Sequence, residues 1–186
     1  MKRMLLLLSI VLLAACGKTI PDAKNWPVDD FTFTDQNGQS FGLSDLKGKV
    51  WVADFIFTNC ETVCPPMTAN MAKLQDMVKE EGLDVEFVSF SVDPENDNPE
   101  ILKQYAKKFN ADLSNWHFLT GYSQEEIETF ARKNFKAIVQ KPKQGDQVIH
   151  GTDFYLVDQQ GKIVKYYSGI SNVPYEEIIK HIKALQ

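Results

Sequence analysis

Two cysteines with three residues between them, Cys60 and Cys64, stand in the segment Phe57-Thr58-Asn59-Cys60-Glu61-Thr62-Val63-Cys64-Pro65-Pro66. The apolar run Val50-Trp51-Val52-Ala53-Asp54-Phe55-Ile56-Phe57 precedes them directly. A thiol pair placed where a buried strand gives way to a helix can close a disulfide or hold a soft metal ion as thiolates. If the helix begins close to Cys60, positions i and i+4 share one face, with Cβ atoms about 5–6 Å apart. A disulfide spans Cα separations of roughly 4.4–6.8 Å, so the spacing permits one. A helix N-terminus also favours thiolate over thiol, which primes the pair for exchange and for metal capture alike. A merely stabilising local disulfide is the competing reading, but so small a loop constrains little of the unfolded chain.

The only other cysteine of the 186-residue chain is Cys16. Lys2 and Arg3 form a positive n-region, Met4 to Leu13 an apolar stretch, and Leu13-Ala14-Ala15-Cys16 resembles a bacterial lipobox. The apolar stretch is too short to span a bilayer as a mature helix. Residues 1–15 are therefore expected to be a lipoprotein signal peptide, with Cys16 carrying the lipid, 16–27 a lipidated tether and 28–186 the folded domain. The lipid on Cys16 would then attach the protein to the extracytoplasmic face of the cell membrane, where dithiols tend to oxidise. Loss of Lys2 and Arg3 takes the formal net charge from −5 to −7. That balance, without a basic patch, argues against a nucleic-acid partner.

The elements that must position Cys60 and Cys64 follow from periodicity. Phe31 to Thr34 and Ser40 to Leu43 flank an Asn37-Gly38 turn and predict a β-hairpin. Lys49–Phe57 and Val85–Val92 read as buried strands. Pro66 stands near a helix start, Met67, Met71, Leu74 and Val78 recur at helical spacing, and Gly82 ends that helix. Asn98-Pro99-Glu100 reads as a helix cap, Ser123-Gln124-Glu125-Glu126 as a capping box, and Tyr175 to Leu185 as an amphipathic helix. Trp116–Thr120, Val148–Val157 and Lys162–Gly169 are expected strands, and 136–147 an exposed loop. The order suggests an α/β, thioredoxin-like fold: a central mixed β-sheet flanked by helices, with an N-terminal β-hairpin.

Thioredoxin-like oxidoreductases carry two residues between their cysteines and a cis-proline beside the pair. Here the spacing is three, and Gln147-Val148-Ile149-His150-Gly151-Thr152-Asp153-Phe154 has a histidine and no proline. The peroxiredoxin pattern is poorly met as well. Instead, Thr58-Asn59-Cys60-Glu61-Thr62-Val63-Cys64-Pro65, Ser91-Val92-Asp93-Pro94 and the stretch from His150 to Asp158 resemble, in order, the motifs of the Sco/SenC family. Glu61 and Thr62 depart from that family's Pro and Asp. The resemblance covers about residues 28–186. It implies a copper protein needed to assemble cytochrome c oxidase, with Cys60, Cys64 and His150 as ligands of Cu(I)/Cu(II). The implied partners are cytochrome c oxidase subunit II, whose dinuclear CuA centre is to be built, and a thiol-disulfide reductase. Two thiolates and an imidazole suit copper, and a set of three falls short of structural zinc's four ligands. Two thiolates sum to zero charge with Cu(II) and to −1 with Cu(I), so either state is tolerable at a loop.

Other candidates have plainer readings. His117 and His181 read as structural or solvated, and Met67 and Met71 as core residues before copper ligands. Asp93 reads equally as a residue bonded to a metal ligand or as a turn residue before Pro94. Functions of another class stay open at this point. One is a thiol-disulfide oxidoreductase, in which Cys60 attacks, Cys64 resolves and the pair is catalytic. A weaker one is a peroxidase. His150 separates them, because thiol exchange needs only the two sulfurs.

Overall fold

The computed structural model describes residues 20–186, so the expected signal peptide and Cys16 lie outside the described residues. In chain order the elements are β1 (Trp26–Pro27), β2 (Thr32–Thr34), β3 (Ser40–Gly42), a 3-10 turn, β4 (Val50–Ile56), α1 (Cys64–Glu80) and β5 (Val85–Ser91). They continue with α2 (Pro99–Lys108), β6 (Trp116–Leu119), α3 (Gln124–Phe130), a π turn (Ala131–Phe135), β7 (Val139–Gln140), β8 (Ile149–His150), β9 (Asp153–Val157), β10 (Lys162–Ser168) and α4 (Tyr175–Leu185).

β4, β5 and β6 are parallel, and β9, β10 and β1 add antiparallel strands on the other side of β4, in the order β1-β10-β9-β4-β5-β6. Every residue of β4 and β5 is buried, as in strands covered on both faces, although Asp54 interrupts the apolar run of β4 and Glu86, Ser89 and Ser91 that of β5. On one face Trp51, Phe55, Phe90 and Tyr155 pack edge-on or stacked against one another and against Phe31, Phe130 and Phe135 from the hairpin side. The other face carries α1, α2 and α4. Asn70 of α1 donates to the Gly169 and Ile170 carbonyls and accepts from Tyr175, and Thr68 bonds Tyr105 of α2 at 2.8 Å. This is the thioredoxin-like mixed sandwich, with its hairpin β2–β3.

α1 buries Met67, Met71, Leu74 and Val78, the stripe predicted from spacing, together with Cys64. Pro65 and Pro66 sit in its first turn, where their missing N–H groups cost nothing. Gly169 lets this layer close on the sheet: a Cβ there would stand 2.8 Å from the Thr152 oxygen and from Phe154, and 2.9 Å from Met67.

α1 starts at Cys64, close to the start expected near Pro66, and Cys60 to Val63 lie ahead of it in a bend, so the two cysteines do not share a helix face. The structure departs from the sequence reading in three places. The expected strand 148–157 breaks at Gly151–Thr152 into β8 and β9. The 136–147 loop contains β7, which pairs with β8 as Val139↔His150 and Gln140↔Ile149. Most consequential, the segment expected as a tether is packed from Ile20 onward. Ile20 is buried, Lys24 N–H donates to Val164, Trp26 pairs with Ile163, and Val28 N–H donates to Gly161. The apolar side chains Ile20, Trp26 and Val28 outweigh the polar ones around them, and the open edge of β10 supplies hydrogen-bond partners.

Candidate metal centre

β4 delivers the chain to the site. Beyond Phe57 the backbone turns, with Cys60 N–H reaching the Phe57 carbonyl at 3.4 Å. Asp97 fastens this turn: its carboxylate accepts from the Thr58 hydroxyl at 2.6 Å, the Thr58 N–H and the Ser91 hydroxyl at 2.6 Å. α1 then starts at Cys64, whose N–H donates to Cys60 Sγ at 3.2 Å. Cys60 thus does for this helix start what a capping side chain usually does, satisfying a first-turn N–H with a sulfur.

The two thiols are unequal. Cys64 is 0% exposed and Cys60 8%. The Cys64 thiol beside it, then His150 and the N–H groups of Cys64 and Thr62, hold Cys60 far below the ordinary thiol range, against its partial burial. Burial first, then the neighbouring Cys60, pushes Cys64 far up. Negative charge is therefore favoured on Cys60, the less buried sulfur and the acceptor of the Cys64 N–H, and the proton on Cys64.

His150 arrives from the ribbon β7–β8. Its Nε2 lies 3.2 Å from Cys64 Sγ, and its Nδ1 2.8 Å from the Gly151 carbonyl, which can only accept. Nδ1 therefore carries a hydrogen, and Nε2 is the ring nitrogen that faces the sulfurs. Phe57 meets the imidazole edge to face at 5.7 Å. The ligand atoms of Cys60, Cys64 and His150 all lie within 4.8 Å of one another, the one such group of His, Cys, Asp and Glu among the described residues. Two sulfurs and an imidazole nitrogen with its tautomer set by a backbone carbonyl fit a soft or borderline metal ion.

The loop before His150 is latched to the cysteine turn. Asn59 donates to Asp146 at 3.0 Å, Gln147 donates to the Asn59 carbonyl at 3.0 Å, and Lys141 bridges Asp93 and Glu95 at 2.7 Å each. Asp93 is bonded to Lys141 and Asn96, and makes no hydrogen bond to Cys60, Cys64 or His150. Met67 and Met71 are fully buried in the core. His117 stacks on Phe41 and pairs with Glu86, and His181 bonds Tyr167, so both are structural.

Two carboxyls were overlooked from sequence. Asp97 holds the turn, and Asp54 lies in the middle of β4 with neither oxygen in a hydrogen bond. Burial raises Asp54 to about 7, against the opposing influence of Ser89 and His150. Its charge, when present, raises Cys64 and Tyr105. The signal for Asp54 was legible: a lone acid inside an apolar strand is costly unless it stays protonated.

Comparison with known proteins bears on this geometry. The SCO1/SenC family model matches residues 21–186. The SCO1 protein homolog of Bacillus subtilis (strain 168) is 55% identical over 178 residues, covering 95% of this chain and 92% of the relative. A SCO1/SenC family lipoprotein from Bacillus anthracis str. Ames superposes with a TM-score of 0.88 at 63% identity, over 90% of this chain and 99% of that one. BsSco, described as having a disulfide switch and belonging to the Sco family of cytochrome c oxidase assembly proteins, superposes at 0.83 with 57% identity, over 89% and 96% of the two chains. Copper-bound ScoI of Bradyrhizobium japonicum superposes at 0.69 with 29% identity, over 86% and 99%.

Proposed function

The chain belongs to the SCO1/SenC family, and we propose that it is a lipid-anchored, extracytoplasmic copper protein that assembles the CuA centre of cytochrome c oxidase subunit II. The observation that carries this reading is the convergence of Cys60 Sγ, Cys64 Sγ and His150 Nε2 within 4.8 Å. The copper-bound ScoI structure and the oxidase-assembly role of BsSco support copper as the cargo and the oxidase as the client. The description of the Bacillus anthracis relative as a lipoprotein supports anchoring through Cys16. Thiolates stabilise Cu(I) and the imidazole accepts either oxidation state, so the trio holds copper without committing it to one valence. Ile138 and Ile149, 67% and 57% exposed, stand next to the paired Val139 and His150 and offer a client an apolar foothold on the other face of that ribbon.

The asymmetry of the thiols favours a second activity at the same place, reduction of the client's cysteines. Cys60 thiolate attacks a client disulfide, forming a mixed disulfide and releasing one client thiolate. Cys64, losing its proton, then displaces the second client sulfur, which leaves the client as a dithiol and this protein as the Cys60–Cys64 disulfide. A thiol-disulfide reductase must return the two electrons. The same disulfide removes both sulfur ligands, so oxidation and metal loading exclude each other.

A deletion strain tests the proposal. Oxidase activity falls under low copper; rescue by added copper identifies delivery, and rescue by added dithiol identifies reduction. Full oxidase activity in a strain lacking this chain and any homologue overturns the proposal.

A further inference from the structure

We infer that the pole formed by the last turns of α1 and α4 faces the phospholipid surface, and that the Cys60–Cys64–His150 centre is carried on the opposite side of the domain, away from the bilayer. This rests on the lipid anchor at Cys16 proposed above.

Chain lengths fix this orientation. The chain is packed from Ile20, and Pro21 lies in a groove with Met77 and Glu81 of α1 and Ile179, Lys180 and Lys183 of α4. Only four residue steps separate Cys16 from Ile20, which fully extended reach at most about 14 Å. Cys64 is the first residue of α1, and Met77 and Glu81 lie 13 and 17 positions further on. At 1.5 Å per residue, the centre stands roughly 20–25 Å from the level at which the anchor leaves the domain. Turning the centre down onto the bilayer would lift Ile20 by that distance, beyond the reach of the tether. With the exit pole down, the centre rides roughly 20–40 Å above the headgroups.

Charge does not impose this orientation. The exposed Lys180 and Lys183 share the groove with Glu81 and Glu176, and Lys183 is paired with Glu81 at 2.7 Å. The pole is held by the shortness of the tether, so it faces zwitterionic and anionic headgroups alike. A client has to offer its thiols or copper ligands at that height.

The test uses the full chain, purified from membranes and reconstituted on the outer face of phosphatidylcholine vesicles. Intact mass first establishes the lipid on Cys16; its absence refutes the anchor reading itself and leaves no tether to argue from. On the lipidated protein, amines are acylated with a membrane-impermeant reagent. The same is done on a variant with a Gly/Ser insert of about 20 residues between Thr19 and Ile20, which adds roughly 25 Å of reach. Lys180 and Lys183 should react several-fold more slowly in the natural protein than in the insert variant. Lys143, in the loop latched to Asn59 beside the metal centre, should react equally in both. Equal reactivity of Lys180 and Lys183 in the two proteins, or protection confined to Lys143, overturns the inference.

Discussion

His150 Nε2 lies 3.2 Å from Cys64 Sγ across 86 residues of sequence, while Nδ1 is bound to the Gly151 carbonyl. The imidazole is thereby aimed at the sulfurs with Nε2 foremost. His150→Ala should weaken copper binding by about tenfold or more, the scale on which even supporting groups of metal sites act. It should also shift the sulfur-to-Cu(II) absorption, and disulfide formation between Cys60 and Cys64 should persist. Competition with a chelator and absorption spectra measure both effects; identical values in the variant would remove His150 from the ligand set.

The asymmetry of the pair predicts unequal thiol reactivity. In the reduced, metal-free protein, iodoacetamide should modify Cys60 well before Cys64 at neutral pH, because negative charge is favoured on Cys60, the less buried sulfur. Peptide mapping of partial reactions reads the order. Equal rates, or Cys64 first, would contradict the assignment.

Asp54 predicts a pH slope. Its carboxyl is held at about 7 in the folded protein against 3.8 in the unfolded chain, so the folded state binds the proton more tightly between these values. The stability this confers is complete below about pH 4 and is lost as pH rises through 7. Asp54→Asn removes a buried charge of the kind that costs on the order of a few kcal/mol. The variant should therefore gain on the natural protein between pH 5 and pH 8 in denaturant titrations. A difference that stays constant across that range would show that Asp54 does not titrate there.

Asp97→Ala leaves the Thr58 N–H and the Thr58 and Ser91 hydroxyls without their acceptor. Each such loss costs about 1–3 kcal/mol when buried. Thermal unfolding should move to markedly lower temperature, and the Cu(II) spectrum should broaden as the turn holding Cys60 loosens. Asp97→Asn, which keeps one acceptor oxygen, should do less. Equal behaviour of the two variants would mean that the acceptors are not what matters.

Ile138→Ser with Ile149→Ser should leave the copper spectrum and fold unchanged, because both side chains face solvent. Copper transfer to the client, followed by the rate of oxidase maturation, should slow. Unaltered maturation would place the docking face elsewhere.

Much of this was legible in the chain. The apolar run of β4, the Asn98 cap with Pro99, the Ser123 box and the Met67–Val78 stripe are local patterns, and the structure has them as helices and strands at those places. The start of α1 near Pro66 was legible too, whereas the sulfur of Cys60 that serves its first N–H follows no capping pattern of the sequence. Asp97 was hidden because its partners Thr58 and Ser91 come from other elements, and no spacing rule connects them. The packed strap from Ile20 looked like a tether because short, Pro-containing polar stretches usually are, and only the free edge of β10 gives it a place to lie.

The strand order has a consequence in time. β9 pairs with β4 across β5, α2, β6 and α3, a long-range pairing of the kind that forms slowly, and it brings the sequence-distant half of the centre with it. Parallel β4, β5 and β6 follow one another along the chain and can assemble while β9 is still unpaired. Until β9 docks, the cysteines have no imidazole beside them. Completion of the donor set therefore waits on this long-range pairing, and tight metal capture reports that the sheet has closed.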